Sequence, residues 1–137
     1  MKSRSESLIR LKKFQTDEKR RQVAQIEMMI ADFERMAGEL DQQIEIEQQK
    51  TGISDIAHFA YSTFAKAAMA RRDNLLASAN DMKSQLEAAQ DALAEAVEDL
   101  KKVELLDQRE HGREMQAEAK SEQADYDETA RFRHMRR

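Results

Sequence analysis

The stretch Thr51-Gly52-Ile53-Ser54-Asp55 decides how this chain folds, because it is where one long helical pattern stops and a second begins. Gly52 can adopt the left-handed conformation that closes a helix C-terminus. Ser54 can accept a backbone N–H hydrogen bond as the N-cap of a following helix, and Asp55 would lie at the positive end of that helix dipole. The stretch therefore predicts a turn at residues 51–55, between a first helix over about 5–50 and a second over about 55–130.

Composition is typical of a helical coiled coil. Of the 137 residues, 36% are charged and 5% are aromatic, and the chain has no Pro, Trp or Cys. Long stretches of Ala, Glu, Lys, Leu, Arg and Gln at helical period favour a coiled coil over a compact enzyme domain. No stretch reaches the roughly 18 consecutive apolar residues of a membrane span, and the N-terminus lacks the apolar core of a signal peptide. We expect one all-α domain over residues 1–137, located in the cytoplasm.

Heptad patterns in both arms predict the seam along which the two helices pack. In the first arm apolar residues step by three and four at Val23, Ile26, Ile30, Phe33, Ala37, Leu40 and Ile44. The second arm repeats this pattern at Leu75, Ala79, Met82, Leu86, Ala89, Leu93, Ala96, Leu100 and Val103. The predicted fold is an antiparallel two-helix coiled-coil hairpin with a longer second helix.

The ends of these patterns give further expectations. A short stripe, Leu8, Leu11 and Phe14, precedes a polar stretch, so we expect the first seam to restart at Val23. The second seam reaches Asp107 and Glu110, which predicts that residue 5 lies opposite about residue 100. Beyond that point the second helix would be unpaired, with a basic tail at residues 131–137.

Charge is distributed unevenly. Residues 1–22 carry eight Lys/Arg and three Asp/Glu, whereas residues 86–110 carry three and eight, an arrangement that favours antiparallel pairing. The basic ends could be solvated or could contact an acidic protein surface. A net charge of −4, with no basic stripe along either helix, argues against nucleic acid as the main partner.

Two apolar groups have alternative interpretations. Leu8, Leu11 and Phe14 either pair within the hairpin or enter a protein ring, and a membrane-surface helix is the weaker interpretation because the stripe is short. Phe59, Tyr61 and Phe64 either cover the closed end of the hairpin or form a docking patch for a partner.

Catalytic and metal-binding patterns are not found in the sequence. Its three histidines, His58, His111 and His134, are far apart, and none follows a glutamate at the Glu-x-x-His spacing. A two-helix hairpin also provides no enclosed pocket for a substrate. We therefore expect no enzyme activity, no cofactor and no metal site.

The sequence also resembles a known family. Ser7-Leu8-Ile9-Arg10-Leu11-Lys12-Lys13-Phe14, the run from Asp17 to Glu27, Tyr61-Ser62-Thr63-Phe64, and the run from Asp99 to Leu106 are similar to the flagellar export protein FliJ of alphaproteobacterial type. The resemblance covers nearly the whole chain. It implies a component of the flagellar type III export apparatus, with a fold similar to the stalk of rotary ATPases.

The resemblance also implies partners and sites. The ends of the hairpin would enter and activate the export ATPase hexamer, which selects Leu8, Arg10, Leu11, Lys12, Lys13, Phe14, Arg131, Arg133, Arg136 and Arg137. A second face would contact the cytoplasmic part of the export-gate membrane protein, which selects Phe64, Ala68, Arg71 and Leu75. Export chaperones would be further partners, and the protein would lie at the cytoplasmic face of the inner membrane without inserting into it.

At two gate positions the chain departs from the family pattern. Arg71 replaces a small residue and Leu75 a polar one, and residues 42–50 lack the tyrosines of enterobacterial members. Two other functions remain open from the residues alone. One is a homodimeric coiled-coil spacer, and the other is a secretion chaperone that holds cargo on the patch around Phe64.

Overall fold

A computed structural model describes residues 4–135 as two antiparallel helices joined by a loop. Helix α1 spans Arg4–Thr51 and helix α2 spans Thr63–Met135, with 48 and 73 residues. Within residues 4–135 there is no strand. The predicted all-α hairpin with a longer second helix is confirmed.

The end of α1 is the predicted glycine cap. Gly52 has a φ of 71°, and its N–H donates to the carbonyl oxygen of Gln48 at 2.9 Å. This bond satisfies a carbonyl that the helix end would otherwise leave without a partner.

The start of α2 was predicted at about residue 55 and is wrong, because α2 begins at Thr63. Asp55 does not lie at a helix N-terminus; its carboxylate accepts the Ala57 N–H at 3.0 Å, and its carbonyl oxygen accepts the His58 N–H at 3.1 Å. His58 repeats this arrangement, since its Nδ1 accepts the Ala60 N–H and its carbonyl oxygen accepts the Tyr61 N–H, both at 3.0 Å. Side chains that bond to their own backbone in this way favour turns over a helix.

Ser62, not Ser54, is the N-cap of α2. Its Oγ accepts the Ala65 N–H at 3.2 Å and donates to the Glu47 carboxylate of α1 at 3.0 Å. The preceding Tyr61 is buried, and its hydroxyl accepts a hydrogen bond from the Gln48 amide at 2.8 Å. Two contacts to the last turns of α1 therefore fix the entry to α2.

The chain divides into two compact units. The first contains the residues up to Thr16 and those from Ala96 onward, and the second contains Asp17–Glu95.

In the second unit, the predicted seam forms the core. Ile30, Ala79 and Met82 are buried together, and Ile26, Phe33 and Leu86 pack against them. Towards the loop, the remaining buried seam residues are Ala37, Ile44, Ala65 and Ala68. Ile30 and Phe33 of α1 thus pack with the small Ala79 as well as with larger side chains of α2, and the small residues permit close helix packing.

In the first unit, the seam on α1 is mostly polar. The residues turned towards α2 are Ser5, Ile9, Lys12 and Thr16, which continue the four-three spacing back from Lys19 and Val23. The prediction that the seam restarts at Val23 is therefore wrong. The heptad phase persists through the polar stretch because helix pairing depends on position, even where the side chains are not apolar.

The register of the first unit also differs from the prediction. Ser5 donates to the Glu110 carboxylate at 2.6 Å, so residue 5 does not lie opposite residue 100. The reason is the loop, which covers residues 52–62 where a turn at 51–55 was predicted. From residue 108 to Met135 every residue of α2 is exposed, although Glu110 still contacts Ser5 of α1.

Candidate partner-binding surfaces

The apolar stripe of α1, formed by Leu8, Leu11 and Phe14, lies outside the seam. These side chains are 42%, 49% and 56% exposed, whereas Thr16 on the seam is 1% exposed. Pairing within the hairpin, one interpretation of this stripe, therefore leaves about half of its surface open to solvent. The sequence does indicate that the stripe lies outside the seam, because counting back from Val23 in steps of four and three reaches none of the three residues.

The basic residues beside this stripe have different environments. Arg10 and Lys13 are exposed and border a shallow groove of about 280 Å³ with Glu6 and Ile9. Lys12 is half-buried on the seam, and its carbonyl oxygen accepts the Thr16 hydroxyl at 2.8 Å. The exposed cations near the apolar stripe are therefore Arg10 and Lys13.

A larger groove connects the apolar stripe with α2. Leu8 lines a groove of about 410 Å³ together with Val103 and Leu106, and Arg109 and Arg113 border it. Sequence patterns did not indicate this groove, because Leu106 follows the predicted seam and was not assigned to a surface.

The C-terminal arginines lie far from the N-terminal residues proposed to bind the ATPase. Arg131 and Arg133 are exposed residues of α2 itself, so the predicted basic tail at 131–137 is wrong at these positions. Arg131 lies 21 residues beyond Glu110, which contacts Ser5, a separation on the order of 30 Å along the helix. Arg136 and Arg137 lie outside the described residues.

The four candidates for the gate contact are divided between surface and seam. Phe64 is 54% exposed and Arg71 is exposed, whereas Ala68 is 6% exposed against α1. Leu75 is half-buried and lines a groove of about 160 Å³ with Arg71. Phe64 and Arg71 are therefore the members of this set whose side chains a partner can reach.

The aromatic residues near the loop also separate into two kinds. Tyr61 is buried and closes the hairpin, as one interpretation expected, but Phe59 is 96% exposed and stacks on His58 with ring centroids 4.8 Å apart. Phe59 and Phe64 therefore expose apolar surface to water near the end of the hairpin that Tyr61 closes.

One side chain near these candidates has a shifted pKa. Hydrogen bonds to the Asp41 and Asp73 carboxylates raise the pKa of Arg72. The Arg72 guanidinium lies 2.9 Å from Asp41 on α1 and 3.1 Å from Asp73. Its stem occupies a half-buried seam position while its charge reaches the surface, so the pair links the two helices at low desolvation cost.

Among residues 4–135, no three His, Asp or Glu side chains group closely enough to hold a metal ion. Neither described helix has an apolar stretch that could cross a bilayer.

Comparison with known proteins agrees with this architecture. The family model described as flagellar FliJ protein matches residues 1–137. No curated protein and no solved structure gives a match to the chain. Because the family match covers the full sequence, the chain belongs to the flagellar FliJ family, whose members are non-catalytic components of the flagellar export apparatus.

Proposed function

We propose that this protein is a helical stalk that binds the hexameric export ATPase through Leu8, Leu11 and Phe14 and raises its activity. The observation that carries the proposal is the placement of these three residues outside the seam, where they are about half exposed. The seam beside them contains Ser5, Ile9, Lys12 and Thr16 instead. Exposed apolar surface of this kind is typical of an interaction site.

Apolar contact would supply most of the affinity for the ATPase. Burying apolar surface contributes roughly 25 cal/mol per Å², whereas an exposed ion pair contributes about 0 to 1 kcal/mol. Arg10 and Lys13 would pair with carboxylates that line the ring. These pairs would contribute more to the orientation of the stalk than to its affinity.

The C-terminal arginines would form a second, separate contact with the ATPase. Arg131 and Arg133 lie at least about 30 Å from the N-terminal stripe along α2, a distance that one binding patch does not cover. We therefore expect the two ends of the chain to touch different parts of the hexamer.

The contact with the export gate would use Phe64 and Arg71. Both are exposed on α2 near the closed end of the hairpin. Leu75 would contribute at the edge of its groove, and the buried Ala68 would only allow α1 and α2 to pack closely there. Binding to the gate would hold the stalk at the cytoplasmic face of the inner membrane, and export chaperones would be further partners.

Stimulation of the cognate export ATPase tests this proposal. We expect the wild-type chain to promote hexamer assembly and raise ATP hydrolysis, and the variant Leu8→Ser/Leu11→Ser/Phe14→Ser to need at least about tenfold more protein for the same effect. Met28→Ser/Met29→Ser is the control, since both methionines are also exposed on α1. A wild-type chain without effect on the ATPase, or a triple variant as active as wild type, would contradict the proposal.

A further variant separates the ATPase contact from the patch around Phe64. We expect Phe64→Asp to weaken binding to the gate while leaving ATPase stimulation unchanged. If Phe64→Asp abolishes binding of unfolded cargo instead, the protein acts as a secretion chaperone at this patch.

A further inference from the structure

Between Lys102 and Asp125, helix α2 carries most of its charges on two opposite faces. The basic face contains Lys102, Arg109, Arg113 and Lys120, separated by seven, four and seven residues, and Asp127 interrupts it before Arg131. These separations return to the same side of a helix with 3.6 residues per turn. The opposite face contains the acids Glu104, Asp107, Glu114, Glu118, Glu122 and Asp125, and Glu110 lies between the two faces.

The basic face begins at the groove between the two helices. Leu8, Val103 and Leu106 form the apolar floor of this groove, and Arg4, Arg109 and Arg113 border it. Leu106 is 60% exposed, so the floor is open to solvent. Asp107 and Glu110 also line the groove, and Glu110 accepts a hydrogen bond from the Ser5 hydroxyl at 2.6 Å.

Three basic residues of this face have no ion-pair partner within residues 4–135. Arg109, Arg113 and Lys120 form no ion pair there, whereas Lys102 lies 3.9 Å from Glu98. All three are exposed. Their charges are therefore available to a molecule that lies along α2.

We propose that the groove and the basic face bind an amphipathic helix of a partner protein, with apolar residues on one side and acidic residues beside them. The apolar residues would cover Leu8 and Leu106, and the acids would pair with Arg109, Arg113 and Lys120. A helix fits because Arg109 and Lys120 are about 16 Å apart along α2, so three turns of a neighbouring helix reach both.

A nucleic acid fits this surface less well. A sugar-phosphate backbone pairs with arginines but provides no aliphatic side chain to cover Leu106. The acidic face on the far side of the same helix also repels a polyanion, and the whole chain has a net charge of −4. An acidic amphipathic helix matches both the charge and the apolar floor.

This inference goes beyond the proposed binding of the ATPase, with which it shares only Leu8. A direct test uses the full chain and a fluorescent peptide of about 21 residues, with Leu at helical a and d positions and Glu at the flanking positions. Fluorescence anisotropy measures its binding. Because no ATPase is present, the result does not depend on whether the ATPase proposal is correct.

Charge reversal in α2 gives the decisive comparison. We expect Arg109→Glu/Arg113→Glu to weaken peptide binding at least about tenfold, because two pairs are lost and two repulsions gained. Lys66→Glu/Lys83→Glu changes the net charge equally at exposed positions elsewhere on α2 and should change binding less than about twofold. Circular dichroism would verify that both variants remain helical.

Control ligands complete the test. A peptide with Lys in place of Glu, and one with Ser in place of Leu, should each bind at least about tenfold more weakly than the acidic amphipathic peptide. Equal effects of the two double variants, equal binding of the Lys peptide, or tighter binding of a single-stranded RNA of about 20 nucleotides would overturn the proposal.

Discussion

The hydroxyl of Thr16 in α1 donates to the carbonyl oxygen of Ala96 in α2, with an oxygen–oxygen distance of 3.4 Å. It also donates to the carbonyl of Lys12 in its own helix at 2.8 Å. Thr16 therefore belongs to the seam, although the sequence around it is polar. Both acceptor carbonyls lie inside helices and retain their helical N–H partners, so neither depends on this hydroxyl.

Replacing Thr16 by Val should leave stability unchanged or raise it by up to about 1 kcal/mol, because shape is kept and a buried polar group is removed. Thr16→Asp should lower stability by several kcal/mol, since it buries a carboxylate. Urea unfolding followed by circular dichroism measures both. A loss above about 1 kcal/mol in the Val variant would show that the hydroxyl bonds stabilise the pairing.

The corrected start of α2 gives a second prediction. Ser62→Ala should destabilise the hairpin by about 1 kcal/mol, because it removes the N-cap of α2 and its bond to Glu47. Ser54→Ala is the matched control, and its effect should be below about 0.5 kcal/mol. Thermal unfolding of the two variants distinguishes them, and a larger effect at Ser54 would place the helix start where the sequence alone suggested.

Substitutions at two glycines test the backbone conformations assigned to them. Gly52→Ala should cost about 1 kcal/mol, because φ is 71° there and alanine disfavours that conformation. Gly38→Ala should stabilise α1 by roughly 0.5 to 1 kcal/mol, since Gly38 lies within the helix and a Cβ there meets nothing within 4 Å. Effects of the same sign in both variants, measured by thermal unfolding, would contradict this assignment.

The sequence predicts the hairpin well where apolar residues mark the heptad. From Val23 to Ile44 and from Leu75 to Val103, each expected seam residue is buried or half-buried, because position and hydrophobicity agree. The loop was predicted too short, because the prediction assigned the N-cap to Ser54, whereas Ser62 caps α2. Contacts with Glu47 and Gln48, distant in sequence, decide between them.

The candidate surfaces were less predictable. Leu8, Leu11 and Phe14 were recognised as apolar, but their exposure depends on the phase of a seam carried by polar residues. The C-terminal arginines were expected in a tail beyond the second helix, whereas α2 continues to Met135 and includes Arg131 and Arg133. Which exposed residues a partner contacts depends on the partner's surface, which this sequence does not encode.

Site-specific photo-crosslinking tests the central claim most directly, namely that the off-seam stripe of α1 contacts the export ATPase. Benzoylphenylalanine is placed at Leu11 in one variant and at Met28 in another, both exposed positions of α1, and each is irradiated with the cognate ATPase. We predict a crosslinked product from position 11 and none from position 28. A product from position 28 without one from position 11 would contradict the assignment.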